Sequence, residues 1–381
     1  MNMQRISRPV SVWLLVHVVM GVLACGGGDE DGDATTAVSV SASQASVSIS
    51  GSPSPASGSE STAGEEATSV TGGGEAGLTT GGAAPTTGEA TGGPKFDLGA
   101  GETEAPETTM GPDEACPCAP KLDLIYVLSD NRQLWTYDPP NNAFTMIGAL
   151  GCPTTDGTFS MGVGRDGKAW VQTTYPVDLF GDTYIGDLFV LDVNNPANCV
   201  DPGYTPGANG WQHFGMGFVS NSAVDPCDQL YAQHWNGVAG GFGEGQNVGK
   251  LGVLDPVALQ VNTIGANNYN GGELTGTGDG RLYEFAGSPS AKLIQFDKAN
   301  AQVIETLPFN NFPLTSAFAF AFWGGDFYFF TEGNLPYSKV TKLDYDDSDG
   351  GGKLLTTVNA QAPIRIVGAG VSTCAPVVPP S

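Results

Sequence analysis

Basic residues are scarce in this chain: 15 Lys and Arg stand against 40 Asp and Glu, and there are only three His. The resulting net charge of −25 repels phosphate backbones and argues against nucleic acid as a partner. Charged residues of both signs together are only 14% of the chain, too few for a protein built of solvent-facing helices. Long apolar runs are missing as well. The one candidate, Val10 to Leu23, is broken by Ser11 and His17 and is too short to span a bilayer. Catalytic constellations are equally thin. No Ser or Cys nucleophile comes with a recognisable base, and beyond the first 25 residues only His213 and His234 remain, beside Trp211 and Trp235. What the chain has in quantity is Gly (55 residues), together with Thr, Ser, Val, Phe and Asn, a composition suited to strands and tight turns.

The first 25 residues, MNMQRISRPVSVWLLVHVVMGVLAC, read as an export signal with Arg5 and Arg8 ahead of the apolar run. Val22-Leu23-Ala24-Cys25 resembles the lipobox of bacterial lipoproteins. The resemblance implies cleavage after Ala24, acylation of Cys25 and membrane attachment through two or three chains, which hold where one would not. Gly26, Gly27 and Gly28 follow in place of an Asp that would resemble an inner-membrane retention signal, so the outer membrane is the expected destination.

Residues 25–113 are built mainly from Gly, Ser, Thr, Ala, Pro, Glu and Asp, with one aromatic, Phe96. Such a segment cannot bury enough surface to offset its chain entropy and is expected to be a disordered tether. Its r.m.s. reach would be roughly 50 Å. Thirteen acidic and three basic residues precede Asp113, and 27 against 12 follow from it, so residues 1–112 and 113–381 carry −10 and −15. Composition changes near Cys116, and a domain is predicted over 114–375, with 376–381 as a flexible tail.

That domain repeats one unit five times. An apolar strand closes on Asp138, Asp192, Asp255, Asp297 and, more loosely, Asp344, at steps of 54, 63, 42 and 47 residues. Ahead of each lies an apolar-aromatic strand: Ile125-Tyr126, Ala169-Trp170, Leu230-Tyr231, Leu282-Tyr283 and Phe327-Tyr328. Small residues at period two supply a third strand: Gly162/Gly164, Gly215/Gly217, Gly276/Gly278, Ala319/Ala321 and Gly368/Gly370. The spacing suits one four-stranded blade of a β-propeller, with small side chains where the inner strand is crowded. The first copy lacks its small-residue strand and the last such strand, Ile364 to Val371, has nothing after it. An all-β, single five-bladed propeller closed by the C-terminal strand is therefore predicted, with no free sheet edge at the seam. The Asp residues are assigned to the turns that follow them.

The repeat resembles the secreted propellers of the YVTN, NHL and gluconolactonase-like group over residues 116–375. Gluconolactonase-like propellers hold a divalent metal at the channel mouth with carboxylates, and five-bladed glycosidases place several carboxylates around a central pocket. Here Asp156, His213 and Glu273 stand just before inner strands, and Arg365 before the last. With Trp211 they are the candidate channel-mouth ligands. Two functions follow: a monomeric envelope module that binds a protein or glycan without catalysis, or a channel-centred hydrolase of the lactonase or glycosidase kind.

Six further Cys, an even number in an exported domain, point to disulfides. Closure of the ring would bring Cys116 or Cys118 near Cys374, and Cys152 with Cys199 is a second expected pair. Asp344, Asp346 and Asp349 superficially resemble a calcium loop, but an EF-hand register puts Tyr345 and Thr356 at ligand positions, so at most weak Ca²⁺ binding is expected. No other cofactor is indicated.

Overall fold

A computed structural model describes residues 116–333, 337–347 and 350–380. Cys25, the segments around it and Asp349 lie outside the described residues. The domain is a ring of five antiparallel blades. Blade 1 holds β1 (Ile125–Ser129), β2 (Gln133–Asp138) and β3 (Ala143–Ala149). Blade 2 holds β4 (Gly157–Val163), β5 (Lys168–Pro176), the short β6 (Tyr184–Ile185), β7 (Leu188–Asp192) and β8 (Asn195–Val200). Blade 3 is β9 (His213–Ser220), β10 (Asp228–Trp235), β11 (Gly243–Asp255) and β12 (Gln260–Asn270). Blade 4 is β13 (Glu273–Gly276), β14 (Leu282–Ala286), β15 (Lys292–Asp297) and β16 (Gln302–Pro308). Blade 5 is β17 (Phe318–Trp323), β18 (Asp326–Glu332), β19 (Ser338–Leu343) and β20 (Leu355–Asn359). The last strand, β21 (Ile366–Val371), returns to blade 1 and pairs antiparallel with β1, Val127 opposite Ala369.

The expected closure is thus present, and its cause is packing. Each blade buries one face against each neighbour, and five apolar clusters fill the five interfaces. Phe285, Phe320 and Phe329 meet between blades 4 and 5, while Ala319 and Ala321 on the other face of β17 pack towards Ile125 and Ile366 of blade 1. The small-residue rows lie at the tightest approach, which is between adjacent inner strands. A Cβ on Gly217 would sit 2.8 Å from the Leu274 carbonyl oxygen, and one on Gly370 2.8 Å from Val163 Cγ2. Gly278 departs from the expected strand and stands in the turn after β13.

The turn role of the Asp residues is visible in four copies. Asp138 Oδ1 accepts the Asn141 N–H, Asp192 that of Asn194, Asp255 those of Val257 and Ala258, and Asp297 that of Ala299. Where the turn is long enough, the residue four positions on takes positive φ: Asn142, Leu259 and Ala301.

Three disulfides hold the ring: Cys118–Cys374, Cys152–Cys199 and Cys116–Cys227. Cys116 and Cys118, separated only by Pro117, reach in different directions, one to blade 3 and one to the closing strand. Disulfides of this number mark an extracytoplasmic protein. The domain also runs past the expected boundary at Ala375, because the Pro376 carbonyl accepts the Gly324 N–H and Val377 packs on the blade 4–5 cluster. No helix among the described residues is long and apolar enough to cross a membrane.

Candidate functional site

The inner strands all run in the same sense around the ring, so their first residues meet at one end of the axis. There they surround a cavity of about 340 Å³. Each blade contributes one position at that end: Thr158, Gly215, Glu273, Ala317 and Arg365. The volume lies at the small end of the range for organic-ligand sites, roughly 300–1,000 Å³.

Glu273, the first residue of β13, is buried, with only 4% of its surface exposed. Its Oε2 accepts the Ser160 hydroxyl at 2.7 Å, and Ser160 Oγ in turn accepts the Met216 N–H at 3.1 Å. Three successive inner strands are thereby tied together at the axis. Burial drives the Glu273 carboxyl well above the usual carboxylate range, against the opposing pull of Ser160 and the Met216 N–H. The fold thus favours the neutral form of a carboxyl that lines the cavity.

Arg365, across the ring, is clamped. Its Nε and Nη2 donate to Glu332 Oε1 at 3.0 and 2.6 Å, and its Nη1 lies 3.7 Å from Asp130 Oδ2. The Ser316 N–H fixes the other Glu332 oxygen at 2.9 Å. The cation is already compensated and partly buried, so it is a poor lure for a free anion.

Aromatic rings make up one wall. Phe159, Trp235 and Phe242 form a parallel stack, with centroids 5.4 and 5.0 Å apart and interplanar angles of 9° and 2°. Tyr184, on the two-residue β6, lies at 23° to Trp235, and Phe318 meets Phe242 edge-on. Tyr184, Trp235, Phe242 and Ser316 also line a second cavity of about 470 Å³, which runs outward past Gly287 and Pro289 to Leu314. The two cavities therefore share these four residues as a common wall.

The other sequence candidates lie behind or away from this site. His213 supports its wall without lining it: Phe159 lies against the imidazole at 4.4 Å, and Thr174 Oγ1, whose residue does line the cavity, is 3.0 Å from Nε2. Gln172 Oε1 accepts the Phe214 N–H, so His213 Nδ1 donates to that oxygen at 3.0 Å and Nε2 accepts from Thr174. Burial pushes the His213 pKa down to about 3, leaving the ring neutral. Trp211 is buried between blades 2 and 3 under the Lys250 ammonium, 4.6 Å from the ring centroid. Asp156 accepts the Thr154 hydroxyl at 2.7 Å in the loop before β4 and does not line the cavity. Asp344 and Asp346 gather with Asp326, with one carboxylate oxygen of each within 4.8 Å of the others, but Lys342 Nζ already sits 2.7 Å from Asp326. Among the described residues this is the one group of three acids so close together, and neither Glu273 nor Asp156 belongs to it. The aromatic wall and Glu332 were not foreseen. The available signal was position: Phe159 and Phe318 stand at inner-strand starts, and Trp235 ends the aromatic strand of blade 3.

No protein family model matches the chain, and no curated protein matches it. Solved structures similar to it include TolB from Acinetobacter baumannii, with a TM-score of 0.35 and 12% identity over 62% of this chain and 52% of that one. Others are an oligogalacturonate lyase in complex with manganese (0.32, 10%, 64% and 63%) and a family 117 glycoside hydrolase from Zobellia galactanivorans (0.35, 10%, 56% and 70%). The chain spans about half the length of TolB. At this level the likenesses carry no argument about activity, and the propeller assignment rests on the strand pairings.

Proposed function

We propose that this protein is a lipid-anchored envelope module whose propeller binds a ligand at the axial cavity without turning it over. In this reading residues 1–24 are removed, Cys25 is acylated at the outer membrane, and residues 25–113 are the tether that carries a monomeric domain. The observation that supports it is the placement of the two ends of the ring. The chain enters the described domain at Cys116, bonded to Cys227 in the loop between β9 and β10 and next to Cys118, which is bonded to Cys374 just after β21. Those are the C-terminal ends of inner strands, whereas the cavity lies at their N-terminal ends. Strands of six to eight residues at about 3.3 Å each separate the two by roughly 20–25 Å. The chain thus enters the described domain at the end of the ring opposite the cavity.

One observation favours the hydrolase alternative: a neutral, buried Glu273 facing a cavity is also what a general acid requires. The experiments that separate these readings are simple. Cys25→Ala should abolish palmitate labelling and release the protein from the membrane fraction, and unchanged labelling would overturn the anchor. Chromogenic glycosides and lactones should show no turnover above that of a Glu273→Gln variant. Turnover that disappears in Glu273→Gln would establish the hydrolase.

A further inference from the structure

Building on the binding-module reading, we infer that the axial cavity and the adjoining groove form one cleft for the end of an uncharged glycan chain, with its terminal unit in the axial cavity. The first argument is shape. The cavity and the groove lie side by side and share the Tyr184–Trp235–Phe242 wall and Ser316, so a ligand longer than one sugar unit could reach from one into the other. At the axis it meets Glu273, hydrogen-bonded to Ser160, and at the far end of the ring the Cys116–Cys118 segment is locked by two disulfides. In this reading a chain enters along the groove and its terminal unit rests beside Glu273 at the axis.

The second argument is chemistry. A sugar ring offers a flat C–H face and an edge of hydroxyls. The cleft matches it with half-buried rings of Phe159, Tyr184 and Phe242 beside the hydroxyl side chains of Thr174 and Ser316. Neither charged group there is without a partner: Arg365 is held by Glu332 and Asp130, and Glu273, whose burial favours the neutral form, is bonded by the Ser160 hydroxyl. The net −15 of residues 113–381 further disfavours polyanionic glycans. An extended peptide would seek an unpaired strand edge. The edge strands β3, β8, β12, β16 and β20 are the outermost of each blade, and none of their residues lines either cavity.

The test uses the full-length protein in detergent. An array of neutral glycans, an oligogalacturonate series and a library of extended peptides are the probes, with tryptophan fluorescence and thermal shift as readouts. At least one neutral glycan should bind, more tightly as a hexasaccharide than as a disaccharide. Tyr184→Ala should weaken it about tenfold, the loss of one aromatic contact of about 1.4 kcal/mol. Ser316→Trp, which narrows the junction without touching the axis, should erase the length dependence while a disaccharide still binds, and this variant keeps the test valid if Tyr184→Ala fails to fold. Binding of oligogalacturonate or peptide alone, reduced by Tyr184→Ala, would overturn the glycan assignment and leave the binding module standing. Glycan binding unchanged by both variants would overturn the cleft. No probe bound at millimolar concentration would overturn the glycan assignment, and turnover lost in Glu273→Gln would overturn the binding module itself.

Discussion

Glu284 is the position where the repeat breaks its own rule, and it allows a quantitative test of the fold. In the third position of the aromatic strand, four blades place Val127, Val171, Ala232 and Phe329, while blade 4 places Glu284. The side chain is fully buried, neither carboxylate oxygen has a hydrogen-bond partner among the described residues, and Gly272 packs directly over it. Burial pushes its pKa well above the usual carboxylate range. A carboxyl whose pKa is raised in the fold keeps its full share of stability below the unfolded value of 4.5. That share is lost as pH rises, because the unfolded chain releases the proton that the folded one retains. The loss is about 1.4 kcal/mol per pH unit, or roughly 3 kcal/mol by pH 7 while the group stays neutral. Glu284→Gln preserves shape and removes the proton. It should raise stability at pH 7 by up to about 3 kcal/mol and make no difference near pH 4. Urea unfolding at pH 4 to 8 with disulfides intact is the assay, read as the difference between variant and parent so that other titrations cancel. A difference that does not change with pH, or a destabilised variant at pH 7, would refute the burial assigned to Glu284.

Four further outcomes are expected. Replacing Cys118 and Cys374 together by Ala opens a bridge across 256 residues and should cost as much as roughly 5 kcal/mol in denaturant unfolding, whereas native stability would contradict its role at the seam. Gly217→Ala pushes a methyl into the Leu274 carbonyl and should cost about 1–3 kcal/mol, seen as a lower urea midpoint with an unchanged slope. Deleting residues from Pro363 onward should unfold the ring, while deleting 30–110 should leave the melting temperature nearly unchanged. Asp228, pushed up to about 6 by burial against the Arg165 N–H and the Thr373 hydroxyl, contributes fully below pH 3.8 and loses that contribution as pH rises to 6, so Asp228→Asn should flatten stability over that window.

The scaffold was readable because propeller blades repeat the same physical demands. An inner strand crowded by its neighbours requires small residues, an outer turn requires Asp, and a ring requires its ends to complement each other. Gly217, Asp255 and Ile366–Val371 each announce one of these needs locally. The site was half readable for the same reason. Glu273 and Arg365 stand out because a charged residue at an inner-strand start breaks the pattern, and both line the cavity. His213 and Asp156 stand at similar offsets yet turn behind the wall or into the preceding loop. An offset of one residue along a strand reverses the face, and sequence spacing alone does not resolve it. The aromatic wall was hidden because Phe and Trp are also what blade cores require, and Tyr184 on the short β6 and Phe242 in the loop before β11 lie outside the repeat. Cys227 was likewise missed as the partner of Cys116, since only the ring brings the start of blade 3 beside the entry segment.

The same geometry explains why variation suited to recognition gathers at one end of the ring. Along most of an inner strand, both faces press on neighbouring blades, and substitutions there meet backbone within 3 Å, as at Gly217. At the C-terminal ends, Arg165, Asp228 and Thr373 are linked to one another and to the Cys116 carbonyl, which holds the entry segment in place. Thr158, Glu273, Ala317 and Arg365, at or beside the starts of four inner strands, line open volume and differ from one another, whereas a Cβ on Gly215 would run into the Gly272 carbonyl oxygen. A ring assembled from near-identical units thus acquires a chemically asymmetric cavity without altering any interface that holds it closed. The acid and the cation end on opposite sides of that cavity, each neutralised in its own way, Glu273 by burial and Arg365 by Glu332. What is left to discriminate between ligands is the aromatic wall and the hydroxyl groups beside it, so specificity should follow substitutions at Phe159, Tyr184 and Phe242 more closely than substitutions at either charged residue.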